Sequence, residues 1–232
     1  DGTTYPTLWT ENDEKIHILL NLNEEAEAGI TVSEDYRTAT FSADIVAQSS
    51  TAPYTFYAVS PASAYLGKNA ERFSATIPAA QTPLAGSVDE AAQILYAISS
   101  SYTEMPSNVP LNFKHFTAYG NLSFTNLELD GAVVSSVSIT SSVNIAGRWN
   151  YMVADGSYTE NSASSTITLN TSSTENIWFA CAPVDMDGQT LTFTINTDKG
   201  PISKSVSLAG KKFEAGKIAK MTVDMTGVKF AE

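Results

Sequence analysis

The sequence predicts an all-β fold, arranged as two β-sandwich domains in tandem. Three observations carry that reading: apolar residues recur with period two in short runs, the polar face of those runs is Ser and Thr rather than charge, and turn residues separate them. The alternation is clearest at Val137/Ile139 followed by Val143/Ile145, at Ile167/Leu169, and at Leu191/Phe193/Ile195 with Thr between. Successive side chains of a strand point to opposite faces, so each run buries one face and wets the other. The chain holds 27 Ser and 26 Thr while charged residues are only 16%. β-Branched Thr fits the pleated surface without bringing charge, which accounts for the substitution.

Turns are predicted at Asp130-Gly131, Asp155-Gly156, Asp187-Gly188 and Asp198-Lys199-Gly200-Pro201, where Asp and Gly accept the positive φ of a tight hairpin. One short helix is predicted at Ser87-Val88-Asp89-Glu90, which has the capping-box form and runs into Ala91-Ala92-Gln93. It is brief, because Ile94-Leu95-Tyr96-Ala97-Ile98 returns to strand residues. A boundary is expected at Pro106-Ser107-Asn108-Val109-Pro110, where Pro110 holds Val109 extended. The domains expected are therefore residues 1–110 and 111–232, which is consistent with a length of 232.

Composition narrows the function classes. A net charge of -12, with Lys211-Lys212 the densest cationic pair, excludes a phosphate-binding face and thus nucleic acid as a partner. The same acidity disfavours docking to anionic lipid. No apolar run reaches 18 residues, and Asp1-Gly2-Thr3-Thr4 has none of the features of a signal peptide. A trimmed exported chain would look the same. Cys181 is the one cysteine, flanked by Phe179, Ala180 and Ala182, and reads as a small buried hydrophobe; no intramolecular disulfide is available. His17 and His115 lie in apolar strands and read as strand histidines rather than ligands, so neither a metal nor a cofactor is expected.

There is no G-x-S-x-G turn and no Gly-rich phosphate loop. Glu24-Glu25-Ala26-Glu27 reads as an acidic solvated turn. Asp185-Met186-Asp187-Gly188 opens like a calcium loop, but the later ligands do not follow and a hairpin turn is the better reading. Trp178 reads as core. Trp149, in the polar setting Gly147-Arg148-Trp149-Asn150-Tyr151, is a candidate exposed stacking surface for a glycan, with Tyr151 beside it. No catalytic constellation emerges, and an enzyme is not expected.

Several segments taken in order resemble the landmarks of the Bacteroidetes fimbrillin family. They are Leu8-Trp9-Thr10-Glu11-Asn12-Asp13-Glu14-Lys15-Ile16, Ala58-Val59-Ser60-Pro61-Ala62, Ile77-Pro78-Ala79-Ala80-Gln81-Thr82, Val109-Pro110-Leu111-Asn112 leading into Phe113-Lys114-His115-Phe116, and Phe213-Glu214-Ala215-Gly216-Lys217-Ile218. Phe113, His115, Ala118, Leu122 and Phe124 match, with shifted spacing, the strand that opens the second half of those proteins. The resemblance covers nearly the whole chain.

That resemblance implies two transthyretin-like sandwiches and a subunit of surface fimbriae, in a stalk, anchor or tip role. It implies export as a lipoprotein anchored upstream of Asp1, location at the outer membrane, and partners that are other fimbrial subunits. It also implies assembly by strand exchange after an Arg-directed protease removes the first strand. Lys15 to Leu22 reads as that strand, the acidic stretch to Asp35-Tyr36 as its loop, and Arg37 as the cut, one of three arginines with Arg72 and Arg148. Met221, Val223 and Met225, alternating near the end of the chain, are the candidate donor strand. The rival expectation is a monomeric glycan-binding surface lipoprotein that uses Trp149.

Overall fold

The computed structural model describes residues 7–9 and 15–230. Expectations placed on residues 10–14, within the tryptophan-led opening segment, lie outside the described residues. The chain opens with β1 (Lys15–Leu20), β2 (Glu24–Val32), β3 (Ala39–Ser42) and β4 (Phe56–Ser60). Then come β5 (Tyr65–Asn69), β6 (Arg72–Ile77), β7 (Ala80–Gln81), β8 (Leu95–Ile98) and β9 (Lys114–His115). The second half supplies β10 (Ala118–Thr125), β11 (Val134–Ser141), β12 (Ala146–Met152), β13 (Tyr158–Ser164) and β14 (Thr166–Leu169). It ends with β15 (Ile177–Cys181), β16 (Thr190–Thr197), β17 (Gly200–Ser207) and β18 (Ile218–Asp224).

These strands form four sheets, in the orders β3-β2-β1-β4-β8-β9, β13-β12-β6-β5, β15-β10-β18 and β17-β16-β11-β14-β7. The first two face each other: Tyr57 and Tyr96 of the six-stranded sheet meet Phe73 of the four-stranded one, and Tyr96 lies 4.5 Å from Tyr151 between ring centroids. The other two face each other through Phe124 and Phe193, edge to face at 6.2 Å. One continuous buried cluster runs through both sandwiches, from Leu19 and Phe73 to Phe193 and Val223. The all-β expectation holds.

The sheets do not divide at residue 110. β6 pairs with β12 over six positions, Gly147↔Ile77 to Met152↔Arg72, and β7 runs parallel to β14 at Thr168↔Ala80. The Pro-containing segment near residue 110 is instead a strap on the outer face of the six-stranded sheet. Leu111 and Phe113 pack there with Ile16, Ala28, Ala58 and Ala97. Its extended, proline-held backbone suits a strap as well as a linker, and only its apolar residues tell the two apart.

Two local expectations are corrected. The short helix is a 3-10 turn over Glu90–Ala92, capped by Asp89 rather than Ser87; the Asp89 carboxylate accepts from the Ala91 and Thr82 N–H groups. Of the four predicted hairpin turns, Asp155-Gly156 joins β12 to β13 and Asp198-Lys199 joins β16 to β17. Asp130-Gly131 and Asp187-Gly188 turn the chain between different sheets, a distinction that φ preference alone does not encode.

Candidate functional site

The element that the resemblance marks for removal is the first strand, β1, and the stretch expected to be its loop is mostly β2, so the two form a hairpin. β1 lies inside its sheet, paired with β2 from Lys15↔Gly29 to Leu20↔Glu24 and with β4 from His17↔Val59 to Leu20↔Phe56. Ile16, Leu19 and Leu20 are fully buried and Leu22 nearly so. The tight turn places Asn21 at φ 51° and Leu22 at φ 56°. Asn tolerates that region, and its side chain fixes the turn: the amide donates to the Thr51 and Pro53 carbonyls while its oxygen accepts from the Thr55 N–H at 2.7 Å.

The acidic run is not a solvated turn, as expected from charge; it is the first half of β2. Glu alternates with Ala, so Ala28 turns to the outer face beneath the strap while Glu25 points to the facing sheet, and each carboxylate finds its own partner. Glu24 accepts the N–H groups of Gln48, Ser49 and Ser50, and also the Ser50 hydroxyl. That nest, led by the Ser50 hydroxyl, holds its carboxyl down at about 2. Glu25 crosses to the facing sheet, accepting from the Tyr65 hydroxyl at 2.8 Å and lying 3.5 Å from both Lys68 Nζ and His17 Nε2. Burial opposes its ionisation, yet Tyr65 and Lys68 outweigh burial and keep its carboxyl below the usual range. His17 stacks on Tyr65 at 3.7 Å, and burial lowers its pKa. Glu27 pairs with Lys15 at 2.9 Å.

Arg37 stands in the exposed turn between β2 and β3, just after Tyr36 at φ 58°. Asp35 shapes that turn, accepting from the Ser33 hydroxyl and the Arg37 N–H. The other two arginines sit half-buried within strands, Arg72 in β6 and Arg148 in β12. The N-terminal segment crosses this turn: the Trp9 N–H donates to the Tyr36 carbonyl, and its ring packs edge to face on Phe41 and Phe113. Sequence reasoning missed the anchors Asn21 and Glu24, because their partners lie 24 to 34 residues away.

Met221, Val223 and Met225 are engaged in their own sandwich: β18 runs parallel to β10 from Tyr119↔Ile218 to Thr125↔Asp224, with Val223 and Met225 buried. The exposure expected of Trp149 is corrected. Its ring is buried within the continuous core cluster and its Nε1–H donates to the Ala146 carbonyl. Tyr151 is buried too, stacked on Phe73 and accepting from the Tyr96 hydroxyl. Neither offers a face to a glycan. Cys181 is buried, and burial pushes its thiol well up. His115 Nδ1 lies 2.8 Å from the Tyr119 hydroxyl and Nε2 3.1 Å from that of Thr7. Among the described residues, no group of three or more His, Cys, Asp or Glu could hold a metal ion, and no helix is long and apolar enough to cross a membrane.

The comparisons with known proteins agree with this architecture. The family model described as fimbrillin-like matches residues 3–231. The chain belongs to the fimbrillin-like family. Among solved structures, this fimbrillin-like chain resembles a Bacteroides uniformis protein named for a proposed role in cell adhesion, with a TM-score of 0.60 and 18% identity over 97% of this chain and 91% of that one. A Bacteroides ovatus protein named in the same way aligns with a TM-score of 0.54 and 13% identity, over 96% of this chain and 87% of the other. At such identities the likeness shows a shared fold. No curated protein matches the chain.

Proposed function

We propose that this fimbrillin-like chain is a non-enzymatic subunit of cell-surface fimbriae that joins its neighbours by strand exchange after cleavage at Arg37. One observation supports the reading most: the arginine in the exposed turn lies at the far end of the hairpin whose loss opens a slot. Cutting there separates β1 and β2 from the rest of the chain. β4 then presents an unpaired edge along residues 56–59, with the places of Leu19 and Leu22 emptied on the core side and those of Ile16 and Leu20 on the strap side.

Burying those four side chains stabilises the sandwich by about 6–12 kcal/mol, which is comparable with the whole stability of a domain. A cut hairpin therefore stays in place until a strand of similar apolar content replaces it. That makes the reaction an exchange rather than the filling of an empty groove. The proposal extends to export as a lipoprotein precursor, with adhesion as the alternative to a purely structural role at the tip.

Treatment with an Arg-specific protease tests the reading. The expected result is one cut after Arg37, followed by SDS-resistant ladders that an Arg37→Ala chain does not form. Cleavage at Arg72 or Arg148 first, or a clean cut that never yields ladders with any fimbrial subunit, counts against it.

A further inference from the structure

The outer face of the four-stranded sheet collects two of the chain's three arginines. Phe73, Ala75 and Ile77 of β6, with Trp149 and Tyr151 of β12, belong to the core cluster. Period two therefore turns Arg72, Ser74 and Thr76 outward, beside their register partners Met152, Asn150 and Arg148. A hydrogen-bond network fixes the floor of this face. Arg72 donates to the Ser74 hydroxyl, which donates to the Asn150 side-chain oxygen at 2.8 Å. The Asn150 amide donates to the Thr159 hydroxyl, and the Asn161 amide to the Asn150 oxygen, both at 3.1 Å. Ser74 is fully buried and Asn150 nearly so.

Arg148 stands outside that network. Its Nε is buried without a hydrogen-bond partner, and its Nη2 lies over Gly67 of β5, 3.6 Å from where a Cβ would sit. Gly67 is the register partner of Ser74, so the two guanidinium groups end on paired positions of neighbouring strands, about 5 Å apart. Two cations brought this close repel each other, and a buried N–H without an acceptor costs free energy. The chain has 25 acids against 13 cations, yet among the described residues no carboxylate forms an ion pair with either arginine. Convergent guanidinium groups over a fixed polar floor, without a counter-charge, suit an oxyanion, which their planar forks bind bidentately.

The surroundings narrow the ligand. Two arginines hold a single oxyanion group and fall short of the extended cationic face that a nucleic acid needs. A net charge of -12 repels an acidic protein, a second copy included, more than a small ligand of low charge. Beside the arginines the face offers the hydroxyl and amide groups of Thr76, Thr159 and Asn161, which pair with a hydroxyl-rich molecule and give an acyl chain little to cover. We propose that this face binds an acidic saccharide, with Arg72 and Arg148 together holding its carboxylate or sulfate group. The site lies on the face of β12 opposite Trp149. None of its strands belongs to the β1–β2 hairpin, so it is independent of cleavage at Arg37.

The test titrates the intact chain with three hexasaccharides: hyaluronan, which carries carboxylates only, carrageenan, which carries sulfates only, and neutral cellohexaose. The expected result is saturable, salt-sensitive binding of at least one acidic sugar and none of the neutral one; the arm that binds tells carboxylate from sulfate. Arg148→Gln removes no hydrogen bond, so this chain is expected to keep its thermal midpoint and to bind about tenfold or more weakly. A second readout needs no variant. The bound sugar is expected to slow modification of Arg72 and Arg148 by the arginine reagent phenylglyoxal several-fold, with Arg37, in its exposed turn, as the unprotected control. No binding of either acidic sugar at about 1 mM, or equal binding of the neutral one, overturns the proposal. So does protection of Arg37 to the same degree, or failure of the reagent to reach Arg72 and Arg148 in the free chain. Self-association that Arg148→Gln abolishes, without sugar binding, would assign the face to carboxylates of a second copy and also overturn it.

Discussion

Gln81 satisfies both polar groups of the Ala180 residue from across the sandwich, with Nε2 donating to the carbonyl at 2.7 Å and Oε1 accepting the N–H at 2.9 Å. A second amide proton reaches the Pro78 carbonyl at 2.9 Å. The glutamine of the resembling segment Ile77-Pro78-Ala79-Ala80-Gln81 thus acts as the missing rung between β7 and β15, two short edges that no ladder joins. Replacement by Leu keeps the volume but strands a buried N–H and a buried carbonyl. We predict a loss of about 2–5 kcal/mol in denaturant unfolding for Gln81→Leu. A loss below about 0.5 kcal/mol would show that water replaces the rung.

Gly120 of β10 lies directly beneath the Phe179 ring, where an added Cβ would sit 2.2 Å from two ring carbons. The ring covers the glycine and fills the place of a side chain. Gly120→Ala is predicted to cost about 2–3 kcal/mol by overpacking, and Phe179→Leu in the same chain to recover part of it. Additive losses in the double variant would contradict the contact.

Trp149→Ala separates a structural from a recognition role. With the ring buried in the core cluster, the substitution is predicted to destabilise by about 3–5 kcal/mol. Unchanged stability together with loss of binding to a glycan array would restore the recognition role.

The hairpin anchors give a pH signature. Glu24 has its carboxyl lowered from 4.5 to about 2 by Ser50 and the residue 48–50 backbone, so its contribution is complete above 4.5 and is lost as pH falls toward 2. His17 is lowered from 6.5 by burial against the attraction of Glu25 and Glu27, with Lys68 adding to the lowering. The unfolded chain then binds the extra proton first, so this contribution is complete above 6.5 and declines below it. Thermal midpoints are predicted to fall in both windows. His17→Gln should flatten the decline just below 6.5, and Glu24→Gln the one below 4.5. Identical acid limbs for wild type and variants would remove the anchors from the account.

The sequence carried the strands well and their partnership poorly. Period-two runs such as Leu191/Phe193/Ile195 are local, and they appear as β16 with those residues buried. The position of Arg37 before a strand was legible for the same reason. The pairing of β6 with β12, 70 or more residues apart, has no local signal, and the strap at Leu111 and Phe113 looked like a linker because proline marks both. Glu24 to Glu27 misled because charge outweighed alternation: Ala26 and Ala28 are small, so their strap-covered face was easy to miss. Trp149 misled because its neighbours Arg148 and Asn150 are polar, while period two puts those two on the face opposite Trp149 and Tyr151, which share the core.

The central claim is that the β4 edge becomes the acceptor once the hairpin is exchanged. Hydrogen exchange at the backbone amides of Tyr57 and Val59, the two of this edge that face β1, tests it most directly, compared in the uncut chain, in the cut chain after mild denaturant releases residues 1–37, and in the assembled ladder. The account predicts slow exchange in the first, fast exchange in the second and slow exchange again in the third. Fast exchange in the ladder, or slow exchange after the hairpin has gone, would contradict it.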